Sequence, residues 1–398
     1  MITHKKLLGA LLVATVALMI GGIDIYQQLL PSLVDYFGST PEFMQFTIVV
    51  SPIVSACVGF IWGRCADLYS HKKLMLTAVS LFGIGALFCS YTSSSSFFLM
   101  GRIVQAIGGS GLSILTVVLL YDLFEKEKDH ARYMALYGAM FPAVFALSPV
   151  LGAHISQMFD WQSCFKFVFI LSFIFFYLYA KFLPQKDGIK KDLGPKESAF
   201  IGIKNILKDK IFIFYVLGHT LPVCISMQFT ANSPFIFQEC FLYSVVGSSY
   251  IQLIPTVLNF IGAFYYRNLL KKKTLEQTIK YGGLSSFTFF LFGIGLILLP
   301  WKITPYSLIF TLSIFTFYMS FSISSCYTKA VENRIKDRGI AVATVSTARN
   351  LLGGIVVLLS SYFYNETPYP MLTSMLILSG FLSLLLLVII PKNTPQKS

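Results

Sequence analysis

The sequence predicts an all-α membrane protein of twelve transmembrane helices in two pseudo-symmetric six-helix bundles, and three observations lead there. Of the 398 residues, 55% are hydrophobic and only 12% charged, whereas soluble domains carry about a quarter of their residues as charges. Apolar stretches of about 20 residues, the length that crosses a hydrocarbon core of about 30 Å, recur along the whole chain. The basic residues, finally, are confined to alternate connections between those stretches.

In chain order the spans fall at about 7–34, 43–65, 74–93, 97–121, 132–157, 161–183, 211–237, 243–266, 277–299, 305–328, 340–363 and 370–391. The N-terminal MITHKK followed by an apolar run has the outline of a signal peptide. The run is too long and lacks a small-residue cleavage site, so it is expected to be an uncleaved first span. One connection is long: residues 184–210, with Gly, Pro and many lysines, divide the chain into halves 1–183 and 211–398.

Of the 31 Lys and Arg, all but Arg102, Lys166, Lys302 and Arg349 lie at the termini, in the even-numbered connections or at the span ends that flank them. The positive-inside rule then places both termini and the 184–210 loop in the cytoplasm, and a bacterial inner membrane is the expected location. The same pattern explains the net charge of +13 as a topology signal. Nucleic acid is not expected as a partner, because no aromatic residues interleave the basic ones. The seven cysteines are scattered, without CxxC or Cys/His pairs at metal spacing. Neither a disulfide framework, a metal site nor a cofactor is expected.

A faint internal repeat supports the division. GRCADLYSHKK from Gly63, after the second span, matches GAFYYRNLLKKK from Gly262, after the eighth. Glycine aligns with glycine, and Lys72 and Lys73 align with Lys271 and Lys272.

GRCADLYSHKK resembles the G-x-L-A-D-R-x-G-R-K signature of the major facilitator superfamily, with Gly63, Ala66, Asp67, Lys72 and Lys73 in place and departures at Leu68, Ser70 and His71. GRIVQAIGGSG, 101–111, resembles the R-x-x-Q-G motif of drug:proton antiporters, with Ala106 for the glycine. SPVLGA, 148–153, is similar to the antiporter G-P-x-x-G-G element, keeping Pro149 and Gly152. IDIYQQLLPSL and SPFIFQECF resemble stretches of the bicyclomycin/chloramphenicol-resistance (Bcr/CflA) subfamily. The resemblance implies the major facilitator fold and proton-coupled export of small amphiphilic compounds, either multidrug efflux or a dedicated metabolite or siderophore exporter. It implies alternating access, with Gly63, Asp67, Lys72, Lys73, Pro149 and Gly152 in gating and helix movement. Proton symport for uptake is the alternative that the same residues leave open. A membrane enzyme would need clustered acids or histidines near one face, and none is present. The partners expected are a small-molecule substrate, protons and the lipid bilayer, and the chain is expected to act as a monomer.

Asp24 is the one acid among 18 placed well inside an apolar span, roughly 15 Å from its outer end. A carboxylate at that depth is costly unless it is paired, hydrated or protonated, so an intramembrane acid is a coupling candidate by default. Arg102, about 7.5 Å down the fourth span, is its natural partner, and the motif resemblance carries the proton-coupling role to it. The alternative is an arginine that ties helix backbones together or snorkels to the interface. Arg349 lies about 13 Å deep in the eleventh span, and no resemblance assigns it a role. It either meets a carboxylate or phosphate of the substrate or bridges to an internal acid, for which Asp24 is the deep candidate. Tyr26, Phe141, Phe145, Tyr215, Phe229 and Phe235 are expected to give the substrate cavity a broad apolar wall.

Overall fold

The computed structural model describes residues 2–124, 127–184, 208–298, 303–332 and 338–389. Thirteen helices follow in order among them: α1 (Ile2–Asp24), α2 (Leu30–Phe37), α3 (Pro41–Leu68), α4 (His71–Tyr91), α5 (Ser95–Leu123), α6 (Glu127–Met158), α7 (Trp161–Phe182), α8 (Lys210–Phe235), α9 (Val245–Leu269), α10 (Leu275–Leu298), α11 (Pro305–Glu332), α12 (Arg338–Tyr362) and α13 (Tyr369–Leu384). Eleven segments of 21–33 residues among the described residues are long and apolar enough to cross a membrane, α1 with α2 counting as one; α12, at 25 residues, falls within that range of lengths. Most of the 184–210 connection, Lys302 and the C-terminal tail lie outside the described residues.

The first expected span is not one helix. α1 stops at Asp24, a 3-10 turn covers Gln27–Leu29, and α2 restarts at Leu30. Gly21 and Gly22 weaken the helix before the break, and Pro31, in the first turn of α2, has no N–H to offer the residue four back. Both features are in the sequence, yet hydropathy averages over them.

The chain divides into two compact units, Met1–Asp192 with Val245–Ser249, and Leu193–Ser244 with Tyr250–Ser398. In the first, α4 and α5 meet backbone to backbone: a Cβ on Gly108 would collide with the amide nitrogen of Phe82 and the carbonyl of Ala78. Without a large hydrophobic drive between helices in lipid, such small-residue contact supplies the packing. Near the break, the buried ring of Phe98 has Tyr26, Phe37, Trp161 and Phe165 around it at centroid distances of 5.4–6.0 Å, mostly edge to face. Asp160 caps α7, accepting from the Ser163 amide at 2.6 Å and hydroxyl at 2.5 Å. Lys166 Nζ sits 3.7 Å from that carboxylate.

In the second unit, small polar side chains bind helices at depth. Asn259 donates to the Thr316 carbonyl at 2.9 Å, and Ser325 joins Tyr266 at 2.9 Å and Thr278 at 2.7 Å. α8 ends in a π turn over Ile236–Cys240. There the Tyr364 hydroxyl donates to Glu239 at 2.5 Å, tying the end of α8 to the segment after α12. A cavity of about 650 Å³ opens between α12 and α13, lined by Val356, Ser360, Phe363, Tyr369, Ser374 and Ile377 among others. All seven cysteines are free: Cys57 is exposed, Cys65 and Cys240 are intermediate, and the other four are buried.

Candidate functional site

A helix leaves its last carbonyls without partners along its own ladder, and in a hydrocarbon surround each such group is costly. At the end of α1 two side chains from one turn of α5 meet that demand. Arg102 Nη2 donates to the Ile23 carbonyl at 2.9 Å, and Gln105 Nε2 donates to the Gly22 carbonyl at 3.1 Å. Arg102 also donates through Nη1 to Gln105 Oε1, so the two side chains brace each other, and Nη2 reaches Ser51 Oγ at 3.4 Å. The guanidinium lies 4.4 Å over the ring of Tyr26, whose hydroxyl donates to Thr47 at 2.8 Å while Thr47 donates to the Met44 carbonyl at 2.6 Å. Arg102 is 0% exposed.

Asp24, half-buried, is the last residue of α1. It forms no ion pair or hydrogen bond among the described residues, and the charge acting on it is that of Arg102. The C-terminal end of a helix carries partial negative charge, so a carboxylate there is opposed by α1 and favoured by Arg102. The sequence-predicted pair is thus brought together through the backbone beside the acid, without direct contact.

Gly152 completes the enclosure. A Cβ at this position would overlap the carbonyl oxygen of Ile25, so α6 can lie against the broken segment only with glycine there. Pro149, one turn before it, is buried. The glycine and proline kept from the antiporter-like element therefore sit where α6 passes the break.

In the connection after α3, Asp67 and Lys73 are exposed, Lys72 is half-buried, and none of them forms an ion pair among the described residues. Gly63 has open space around it. The organising residue is His71, a position that departs from the family pattern. Its Nε2 lies 2.9 Å from the Ala66 carbonyl and its Nδ1 3.0 Å from Asp122 Oδ2 at the end of α5. Sequence reasoning missed this pair because nothing local links residues 71 and 122. It also gave no role to Gln105, the glutamine of the R-x-x-Q-G resemblance, although the i, i+3 spacing from Arg102 placed both on one face of α5.

The six aromatics divide three and three between the two units. Tyr26 is enclosed at the break; Phe141 is 45% exposed and Phe145 half-buried on α6. Tyr215 and Phe229 belong to the buried core of the second unit, and Phe235 is enclosed 5.7 Å from Tyr364. None of the six lines the α12–α13 cavity. Arg349 is half-buried on α12, with its Nε donating to Asn350 Oδ1 at 3.3 Å and no ion pair among the described residues. No group of three or more metal-ligating side chains occurs among the described residues.

Comparison with known proteins extends these observations. A family model described as the Major Facilitator Superfamily matches residues 12–358. The chain is 27% identical over 202 residues to the efflux pump dotC of Dothistroma septosporum, a match covering half of this chain and a third of that pump. It is 24% identical over 268 residues to the multidrug resistance protein MdtL of Salmonella typhi, covering 66% and 67% of the two chains. Among solved structures, the nucleoside transporter NupG superposes with a TM-score of 0.76 at 13% identity, over 97% of this chain and 99% of that one. A D-xylose-proton symporter gives 0.69 at 16% identity over 98% of each chain. At these identities the two structures speak for the fold alone.

Proposed function

The chain belongs to the Major Facilitator Superfamily, and from that premise we propose that this membrane transporter is a proton-coupled exporter of small amphiphilic compounds, working by alternating access between 1–183 and 211–398 with 184–210 as the cytoplasmic connection. The observation that carries the reading is the buried Arg102 holding the broken end of α1 beside Asp24. An ionised Asp24 is attracted by Arg102; a protonated one is not. Proton uptake therefore changes the balance of forces at the point where α1 is interrupted, which is how proton binding would be converted into helix movement. The printed names of its relatives, a fungal efflux pump and a bacterial multidrug resistance protein, favour export. Exposed Phe141 and half-buried Phe145 offer apolar contact to a passing solute. The confinement of basic residues to alternate connections supports cytoplasmic termini at the inner membrane, and the chain is read as acting as a monomer.

Proteoliposomes with an imposed pH gradient test the coupling. Proton-linked solute flux is expected in the native chain and its loss in Asp24→Asn; undiminished coupled flux in that variant removes Asp24 from the mechanism. Direction is read from cells expressing the protein: lower accumulation of an amphiphilic dye means export, higher accumulation means uptake.

A further inference from the structure

We propose that His219, Tyr327 and Arg349 form a binding site for the anionic group of the transported compound, a carboxylate or a phosphate-type oxyanion. The inference deepens the transporter reading above by naming a substrate class.

Three helices of the second unit converge here. His219 on α8, Tyr327 on α11 and Arg349 on α12 lie roughly 13, 8 and 16 Å along their helices from ends that share one side of the unit. His219 Nδ1 is 3.0 Å from the Ile323 carbonyl, which can only accept, so Nδ1 carries a proton and Nε2 points away with its own bonding capacity. Ile323 and Tyr327 are four residues apart and share one face of α11. The imidazole accordingly also meets the Tyr327 ring, at a centroid distance of 5.4 Å. α8 packs against both α11 and α12, and within that packing the charge of Arg349 acts on His219 and Tyr327 acts on Arg349.

What the protein leaves unused points to a ligand. Arg349 spends only Nε, on Asn350. Its four Nη hydrogens, the Tyr327 hydroxyl and His219 Nε2 have no hydrogen-bond partner among the described residues, and no described carboxylate pairs with Arg349. A guanidinium inside a membrane span is costly unless an anion answers it, and its planar fork fits two oxygens of one carboxylate or phosphate. The Tyr327 phenol supplies a further donor to the same group, and His219, with its Nδ1 proton given to Ile323, donates through Nε2 as the imidazolium that a neighbouring anion favours. A guanidinium and a phenol with this much spare donor capacity, and no ion pair to an acid among the described residues, suit an incoming anion.

The test uses the purified full chain in phosphatidylcholine nanodiscs, titrated by calorimetry with 2-naphthoate and with 2-naphthamide, which differ in charge at nearly constant shape. The native chain is expected to bind naphthoate the more tightly. Arg349→Gln should weaken naphthoate about tenfold or more while naphthamide stays within about twofold, with Arg349→Lys intermediate and Tyr327→Phe about threefold weaker. Native binding of naphthoate no tighter than naphthamide overturns the proposal, as does an equal loss of both probes in Arg349→Gln. Adding phosphatidylglycerol checks for a lipid headgroup: suppression of naphthoate binding that vanishes in Arg349→Gln assigns the site to lipid and overturns the proposal. Binding is read without a pH gradient, so a failure of Asp24 coupling or of export leaves this result standing, and the reverse also holds.

Discussion

Arg102 donates to the carbonyl of Ile23, the residue immediately before Asp24, so one side chain of α5 both closes the broken end of α1 and sets its charge next to the acid. The two tasks are separable. Arg102→Lys keeps a cation but has no planar fork to serve Ile23, Gln105 and Ser51 together. Lost hydrogen bonds from a charged group cost about 1.5–3 kcal/mol each. We expect Arg102→Lys to melt lower than the native chain and to transport poorly. Native-like transport with a lowered melting temperature would mean that charge alone suffices.

Gly152→Ala is expected to be severe, because the added Cβ must displace the Ile25 carbonyl, which is backbone and cannot rotate away. Overpacking of this kind costs about 1–3 kcal/mol or more. Gly138→Ala on the same helix meets nothing within 4 Å and serves as the control, with native expression and melting. Comparable behaviour of the two variants would show that α6 can move off the break freely.

The His71–Asp122 contact lends itself to a double-mutant cycle. His71→Ala and Asp122→Ala should each lower thermal stability, and the double variant should lose less than their sum, with a coupling of about 0.5–3 kcal/mol. Strict additivity would mean that the two residues act independently.

Asp160 gives a pH dependence with a definite sign. The hydroxyl of Ser163 first, with its amide and the nearby Lys166, holds the Asp160 carboxyl below the usual carboxylate range against the opposing cost of desolvation. A depressed pKa stabilises where the unfolded group would also be ionised, so the cap contributes fully above about pH 4 and its contribution fades as pH falls through the lowered value. Asp160→Ala should cost about 0.5–1 kcal/mol at neutral pH, the low part of the capping range because the group is exposed. The gap from the native chain should narrow in acid; a constant gap would rule out the carboxylate as its source.

The fold was legible because hydropathy and the placement of basic residues depend on local sequence. Asp24 and Arg102 stood out for the same reason: a charge in an apolar run is visible without three dimensions. Their manner of association was not visible, since the acceptors are main-chain carbonyls of Gly22 and Ile23, about 80 positions from Gln105 and Arg102, and every residue has a carbonyl. The break was equally hidden, because glycines, proline and flanking leucines average to an unbroken span. Aromatic residues were the least legible. Helical position cannot say whether Phe229 faces a cavity or a neighbouring helix, and in the second unit packing claims it.

Among the seven cysteines, Cys57 alone is exposed. The native chain therefore carries its own reporter on α3, with four buried thiols that a brief labelling reaction should spare. A charged, membrane-impermeant maleimide and a lipid-soluble one would compete for that sulfur on unequal terms, and the ratio of their rates would tell whether this face of α3 is wetted or greased. Following that ratio while the pH gradient is reversed would turn an unremarked cysteine into a gauge of which side of the membrane the protein has opened to.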